Sequence, residues 1–479
     1  MTTPLGATVE GRQGSREFGA GPVPKLVALL VIVVALGASL IAAGVSAALF
    51  VGPIAVVIVA AWATQRPTRA AFLSMVAIAI VPVYWSPVLP GTQIPTLPAV
   101  VAATVVLPAA MRRRNDVHLN GIDRLFVAYI FFRLASFLVN PSAGIGLAVD
   151  TVAQVILPYA AFRILSTQPG IRAALALGVV TGGVLSAVIA IREYNGVPNP
   201  FLDRRFGGYQ YAYYTRVDAR FGRPRPEAAF GQAIPLGMFL VLAAVLALAF
   251  AWRASSRSRR LLSYAAVLVI LVGLSNTLVR GPLVMLAVAV FVVLAGDVQR
   301  IRLDRTLLVV VAGLALLTVG SLGANIYKLR DATVEPGPVR DSGNVRFQIF
   351  SAVSKSENFS VLGKRGDAGR EVGFQRDVGQ QVGLGTFENA FALTYLGYGV
   401  FALLAFTGMA LLVIRAGFMS GLTTLDRGWC AALVGVFVNL VGVGLVSQFA
   451  QVFWICLAVV ASIVHSASDR KHLSSETVA

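Results

Sequence analysis

Charge disappears from this chain for about twenty residues at a time and returns only in short clusters, so most of it must fold in an apolar solvent. Residues 26–63 and 229–252 contain no Asp, Glu, Lys or Arg at all. A helix rises about 1.5 Å per residue, so an apolar run of about twenty residues crosses a bilayer core. With 57% of residues hydrophobic and only 13% charged, the chain reads as an all-α polytopic membrane protein rather than a soluble domain.

That ruler gives about fourteen transmembrane helices. They lie near residues 26–43, 45–63, 70–88, 96–111, 124–139, 145–165 and 171–191, then near 229–252, 261–277, 282–297 and 307–324, and finally near 389–414, 429–447 and 451–466. Two polar stretches, about 194–228 and 325–387, interrupt the series as large loops. Residues 1–24 read as a disordered cytoplasmic tail, 25–466 as a single transmembrane domain and 467–479 as a C-terminal tail.

Alternate connections are basic. Arg66 to Arg69, Arg112-Arg113-Arg114, Arg163 to Arg172, Arg253 to Arg260, Gln299 to Arg305 and Arg415 to Arg427 all fall on one side if both termini are cytoplasmic. The opposing connections at 89–95, 140–144 and 448–450 carry no charge. Positive charge is retained on the cytoplasmic face, so the alternation sets an N-in, C-in topology in a plasma membrane and places both large loops outside.

The net charge of +18 would point a soluble protein toward nucleic acid. Here it is accounted for by loops facing anionic lipid headgroups, and no zinc finger or aromatic-basic alternation supports a nucleic-acid partner. Cys430 and Cys456 lie in apolar spans, which argues against a disulfide framework. His118, His465 and His472 show no metal-ligand spacing, and there is no Asp-x-Asp pair. No metal or cofactor is expected.

Against this background, arginines on the outer side stand out. The first loop carries Arg204, Arg205, Arg216, Arg220, Arg223 and Arg225, with four tyrosines between 209 and 214. Guanidinium forks match phosphate oxygens in pairs, and aromatic rings beside them suit sugars. A solvated loop with local Arg–Asp pairs is the plain alternative. Arg280 precedes Gly281-Pro282, a helix start whose N–H groups and dipole would favour an anion beside it. The alternative there is a snorkelling interface anchor.

In the second loop, Asn344 can cap a short amphipathic helix over 345–353 that carries Arg346. Ser360 to Gly363 and Gly379 to Gly385 read as turns. Glu388-Asn389 opens the next span, either as a general base at a cavity mouth or as a helix cap. Arg133 and Asp150, inside neighbouring spans, read as a pair that ties helices together. Glu193, at the outer end of its span, is placed to contact the loop arginines.

Over about residues 190–410 the chain resembles the O-antigen ligase and polymerase superfamily of polytopic glycosyltransferases. The resemblance rests on Glu193, Arg220-Phe221-Gly222, Arg280-Gly281, Arg346-x-x-Ile349, Asn358 to Lys364, Gly383-x-Gly385 with Glu388-Asn389, and Tyr395 to Val400. It implies metal-independent, inverting transfer of a glycan from a polyprenyl-diphosphate donor to an acceptor hydroxyl on the outer face of a bacterial plasma membrane. It further implies Arg220, Arg280 and Arg346 on the diphosphate; Arg216, Arg223, Glu193 and Asn389 are expected to line the same substrate site. Glu388 stands where ligases commonly hold a histidine base. Three functions remain open: ligation of a finished glycan, polymerisation of repeat units, and transport or flipping of an anionic lipid-linked saccharide. Transport would favour inverted repeats and helices interrupted near the midplane.

Overall fold

The computed structural model describes residues 62–82, 118–139, 151–201, 219–220, 223–296, 360–363, 389–445 and 448–476, with isolated positions at 103, 106–107, 110–111 and 148. All of them belong to one compact unit, Ala60–Ala479. Eleven α-helices are defined among the described residues: α1 Pro67–Ile80, α2 Gly121–Val139, α3 Leu157–Leu165, α4 Pro169–Tyr194, α5 Ala233–Arg253, α6 Arg257–Asn276, α7 Gly281–Gly296, α8 Ala390–Tyr398, α9 Val400–Gly417, α10 Thr424–Leu440 and α11 Phe449–Glu476. A π-helical turn, Val152–Ile156, runs directly into α3. One antiparallel pair of two-residue strands, β1 Ala219–Arg220 and β2 Arg223–Pro224, completes the set.

Five of the helices, namely α4, α5, α6, α9 and the Phe449–Ala467 part of α11, are long and apolar enough to cross a membrane. This is fewer than the fourteen expected. Three further apolar segments, α1, α7 and Val152–Leu165, are shorter, and the expected spans near 26–43 and 307–324 lie outside the described residues. The protein is thus mostly helical, with the character of a membrane-embedded chain.

α5 is apolar around its whole circumference because it packs on every side, against α4, α6, α7, α10 and α11. Small residues allow the close approaches. A Cβ on Gly183 of α4 would run into Ala243 of α5, and one on Gly435 of α10 would run into the Met285 carbonyl of α7. α6 lies at the rim, with Leu261, Leu262 and Leu268 exposed. An apolar surface of that kind is expected against lipid rather than water.

Two boundaries differ from the sequence expectation. The span expected at 389–414 is two helices, broken where Gly399 adopts φ 91°. The turn Ser360–Gly363 docks on that break: Val400 N–H donates to the Ser360 carbonyl at 3.2 Å, and a Cβ on Gly399 would overlap the Val361 carbonyl. α11 continues to Glu476, beyond the expected end at 466 and through most of the segment read as a tail.

One end of the bundle is held by buried ion pairs. Arg163 donates Nε and Nη2 to the two oxygens of Asp123, both at 2.8 Å, and Tyr159 donates its hydroxyl to Asp123 at 2.7 Å. Arg172 Nε lies 3.3 Å from Asp426. These arginines were counted with the basic connections facing headgroups, but they are buried and matched by carboxylates from other helices. Arg253, Arg257, Arg259 and Arg260 are exposed, as that reading requires.

Candidate functional site

The opposite end of the bundle carries Glu193, Arg280 and Asn389, and a chain of contacts joins them. α6 ends at Asn276 and α7 begins at Gly281, so only four residues turn the chain around. Leu278 takes φ 54° in that turn, a left-handed backbone that β-carbon sterics disfavour outside glycine. Thr277 is fully buried and donates its hydroxyl to the Leu274 carbonyl at 2.7 Å. Gly237 in the first turn of α5 packs on this corner, where an added Cβ would come within 2.8 Å of Pro282 Cγ.

Arg280 is exposed and sits immediately before α7. The first turn of α7 limits which amides are available beside it. Leu283 and Val284 both donate to the Arg280 carbonyl, at 3.0 and 3.3 Å. Pro282 has no N–H to offer. What this helix end offers beside the guanidinium is therefore the Gly281 N–H and the helix dipole.

Gly281 faces α10. A Cβ there would collide with the side-chain oxygen of Asn439 and approach its nitrogen at 3.6 Å. Asn439 is 6% exposed, and its Nδ2 is buried without a hydrogen-bond partner among the described residues. A buried amide donor left unmatched is costly, so this nitrogen is suited to an acceptor oxygen. Asn439 was not among the residues singled out from the sequence. Its signal was present, a lone polar side chain inside the apolar run 429–447.

Just past α10, the Val443 carbonyl accepts the Ala390 N–H at 3.1 Å, which brings the start of α8 to the same end. Asn389 is buried, and its Oδ1 accepts the Ala392 N–H at 2.9 Å as a helix cap. The capping alternative describes this residue's oxygen.

Glu193 stands in the last turn of α4 and is 8% exposed. It was expected to meet loop arginines. Its carboxyl accepts two backbone N–H groups, from Glu227 at 2.8 Å and Ala228 at 3.1 Å. That turn follows the strand pair in which Arg220 lies opposite Arg223. The backbones of Arg220 and Arg223 are thereby placed one short step from Glu193. Their side chains, and the whole of Arg216, Arg346 and Glu388, lie outside the described residues, as does the expected helix over 345–353.

Arg133 donates Nε to Thr151 Oγ1 at 2.9 Å and lies 4.9 Å from the centre of the Tyr398 ring. It links α2 to the start of the neighbouring π-turn and to α8, while the expected pairing with Asp150 lies outside the described residues. His118 and His465 approach with ring centroids 5.7 Å apart at the other end of the bundle. Among the described residues no three His, Cys, Asp or Glu side chains gather as a metal site. Cys430 and Cys456 are free and buried.

No protein-family model matches the chain, and no curated protein matches it.

Proposed function

We propose that the chain is a multi-pass glycosyltransferase of about fourteen spans, with both termini cytoplasmic, in a bacterial plasma membrane. It transfers a glycan from a polyprenyl-diphosphate donor to an acceptor hydroxyl at the outer face, without a metal ion. The observation that carries this reading is the company kept by Arg280. Arg280, exposed at a helix start, directly precedes Gly281, which packs on the buried Asn439 amide, and these residues share one end of the bundle with Asn389 and the turn behind Arg220 and Arg223.

In the proposed step the acceptor oxygen attacks the anomeric carbon and forms the new glycosidic bond. The bond from that carbon to the phosphate oxygen breaks, and the diphosphate leaves with the electron pair. Glu388 takes the acceptor proton. Charge builds on the leaving diphosphate, and Arg280 with Arg220 and Arg346 offsets it. Fixed donors aimed at developing charge need no reorganisation during the reaction, which is why they act strongly in a dry site. Glu193 commits both carboxyl oxygens to backbone N–H groups, so it serves the fold of the turn.

The test is transfer from a polyprenyl-diphosphate-linked saccharide by purified protein with a chelator present. The reading expects product from the wild type, little from Arg280→Ala, and donor binding without turnover from Glu388→Gln. A protein that moves the lipid-linked saccharide across a bilayer, and does so equally well as Glu388→Gln, would be a flippase instead.

A further inference from the structure

Resting on that reading of the arginines, we infer that Glu193 is a positioning residue, which sets the arginine-bearing strand pair by clamping a left-handed turn at Ala228. Ala228 is fully buried with φ 46°, a backbone region that side chains with a Cβ rarely adopt. Both of its backbone groups are held. Glu193 Oε1 accepts its N–H at 3.1 Å, and Asn199 Nδ2 donates to its carbonyl at 2.9 Å. The other Glu193 oxygen takes the Glu227 N–H at 2.8 Å.

Asn199 is itself fixed, because its Oδ1 accepts the Phe201 N–H at 3.0 Å. On the far side of the turn, buried Phe230 packs at a tilt against Phe239 of α5, with ring centroids 5.0 Å apart. The turn is therefore pinned to α4 through Glu193 and to α5 through Phe230. Only Arg225 and Pro226 separate it from β2, where Arg223 faces Arg220 across the ladder. Any release of the turn is passed on to that pair within two residues.

The chemistry explains why the residue is a carboxylate. Two adjacent N–H donors converge on it, and a carboxylate offers an acceptor oxygen to each. An amide offers one oxygen, and its NH2 would face the second donor. Glycine at 228 would reach the left-handed backbone without strain and would need the clamp less.

The experiment measures equilibrium binding of a polyprenyl diphosphate in detergent micelles with a chelator present, alongside the melting temperature of each ligand-free variant. Glu193→Gln should weaken binding about tenfold, the scale of one lost buried hydrogen bond. Arg220→Ala should weaken it comparably, and the double variant should lose less than the product of the two single losses, because the clamp acts through the strand pair that carries Arg220. Adding Ala228→Gly to Glu193→Gln should restore most of the affinity. If Glu193→Gln does not fold, Asn199→Ala releases the same turn from its other side and carries the same expectation. Unchanged affinity in the folded clamp variants, fully multiplicative losses in the double variant, or no rescue by glycine would overturn the inference. A wild type that fails to bind the diphosphate would instead sink the reading of the arginines, and the positioning role with it.

Discussion

Gly281 and Asn439 occupy one another's space: the glycine hydrogen stands where any side chain would strike the Asn439 amide. This contact locks the start of α7 against the end of α10, and so fixes Arg280 relative to the start of α8. Gly281→Ala should cost about 1–3 kcal/mol of stability, as overpacking a close contact does. Asn439→Ala added to it should return part of that loss by vacating the space. Thermal unfolding of the two variants in detergent checks the pairing.

Arg280→Lys separates a point charge from a fork. Lysine keeps the charge but presents a compact ammonium where arginine offers two parallel donors. If the guanidinium grips phosphate oxygens in pairs, the lysine variant should recover little of the transfer lost in Arg280→Ala. Expression and melting temperature of both variants should stay near wild type, because Arg280 is exposed. Equal activity of lysine and arginine would show that charge alone suffices.

At the other end of the bundle the arginines serve stability. Asp123→Ala would leave the buried Arg163 guanidinium without the two oxygens it now contacts at 2.8 Å. Stranding one partner of a buried pair costs about 3–5 kcal/mol, so this variant should fold poorly. The double variant Asp123→Asn with Arg163→Gln should be less harmed than the single. Yield and unfolding temperature report the difference, and the activity per folded molecule should not change.

Gly399→Ala addresses the break between α8 and α9. The glycine has φ 91°, and a Cβ would overlap the Val361 carbonyl in the docked turn. Alanine must therefore displace the Ser360–Gly363 turn as well as strain the backbone, at a cost above about 1 kcal/mol. The expected readout is a lower melting temperature and faster proteolysis at residues 360–363.

These cases show which parts of the molecule could be read in the sequence. α5 was legible because nothing interrupts its apolar run before Arg253, and burial on all sides needs no particular pattern. The corner at Arg280 was legible because Gly281-Pro282 is a helix start in its own right. Glu193 was legible as important but not in its role. Its partners are backbone N–H groups 34 and 35 residues away, which no pattern of side chains announces. Arg163 and Arg172 were misplaced for a related reason. In a linear reading they belong to a basic connection, and only folding brings Asp123 and Asp426 to them. The break at Gly399 was signalled by Gly397-Tyr398-Gly399, but the apolar residues around it favoured one continuous span.

The central claim is that fixed cations at one end of this bundle take the place of a divalent ion in holding a lipid diphosphate. Equilibrium binding of a polyprenyl diphosphate in the presence of chelator, to the wild type and to Arg280→Ala, tests it most directly. A polyprenyl alcohol serves as the uncharged control. The wild type should bind the diphosphate and not the alcohol. Arg280→Ala should lose about tenfold or more in affinity, the scale of one charged hydrogen bond. Equal binding by wild type and variant, or binding that appears only when a divalent ion is added, would contradict it.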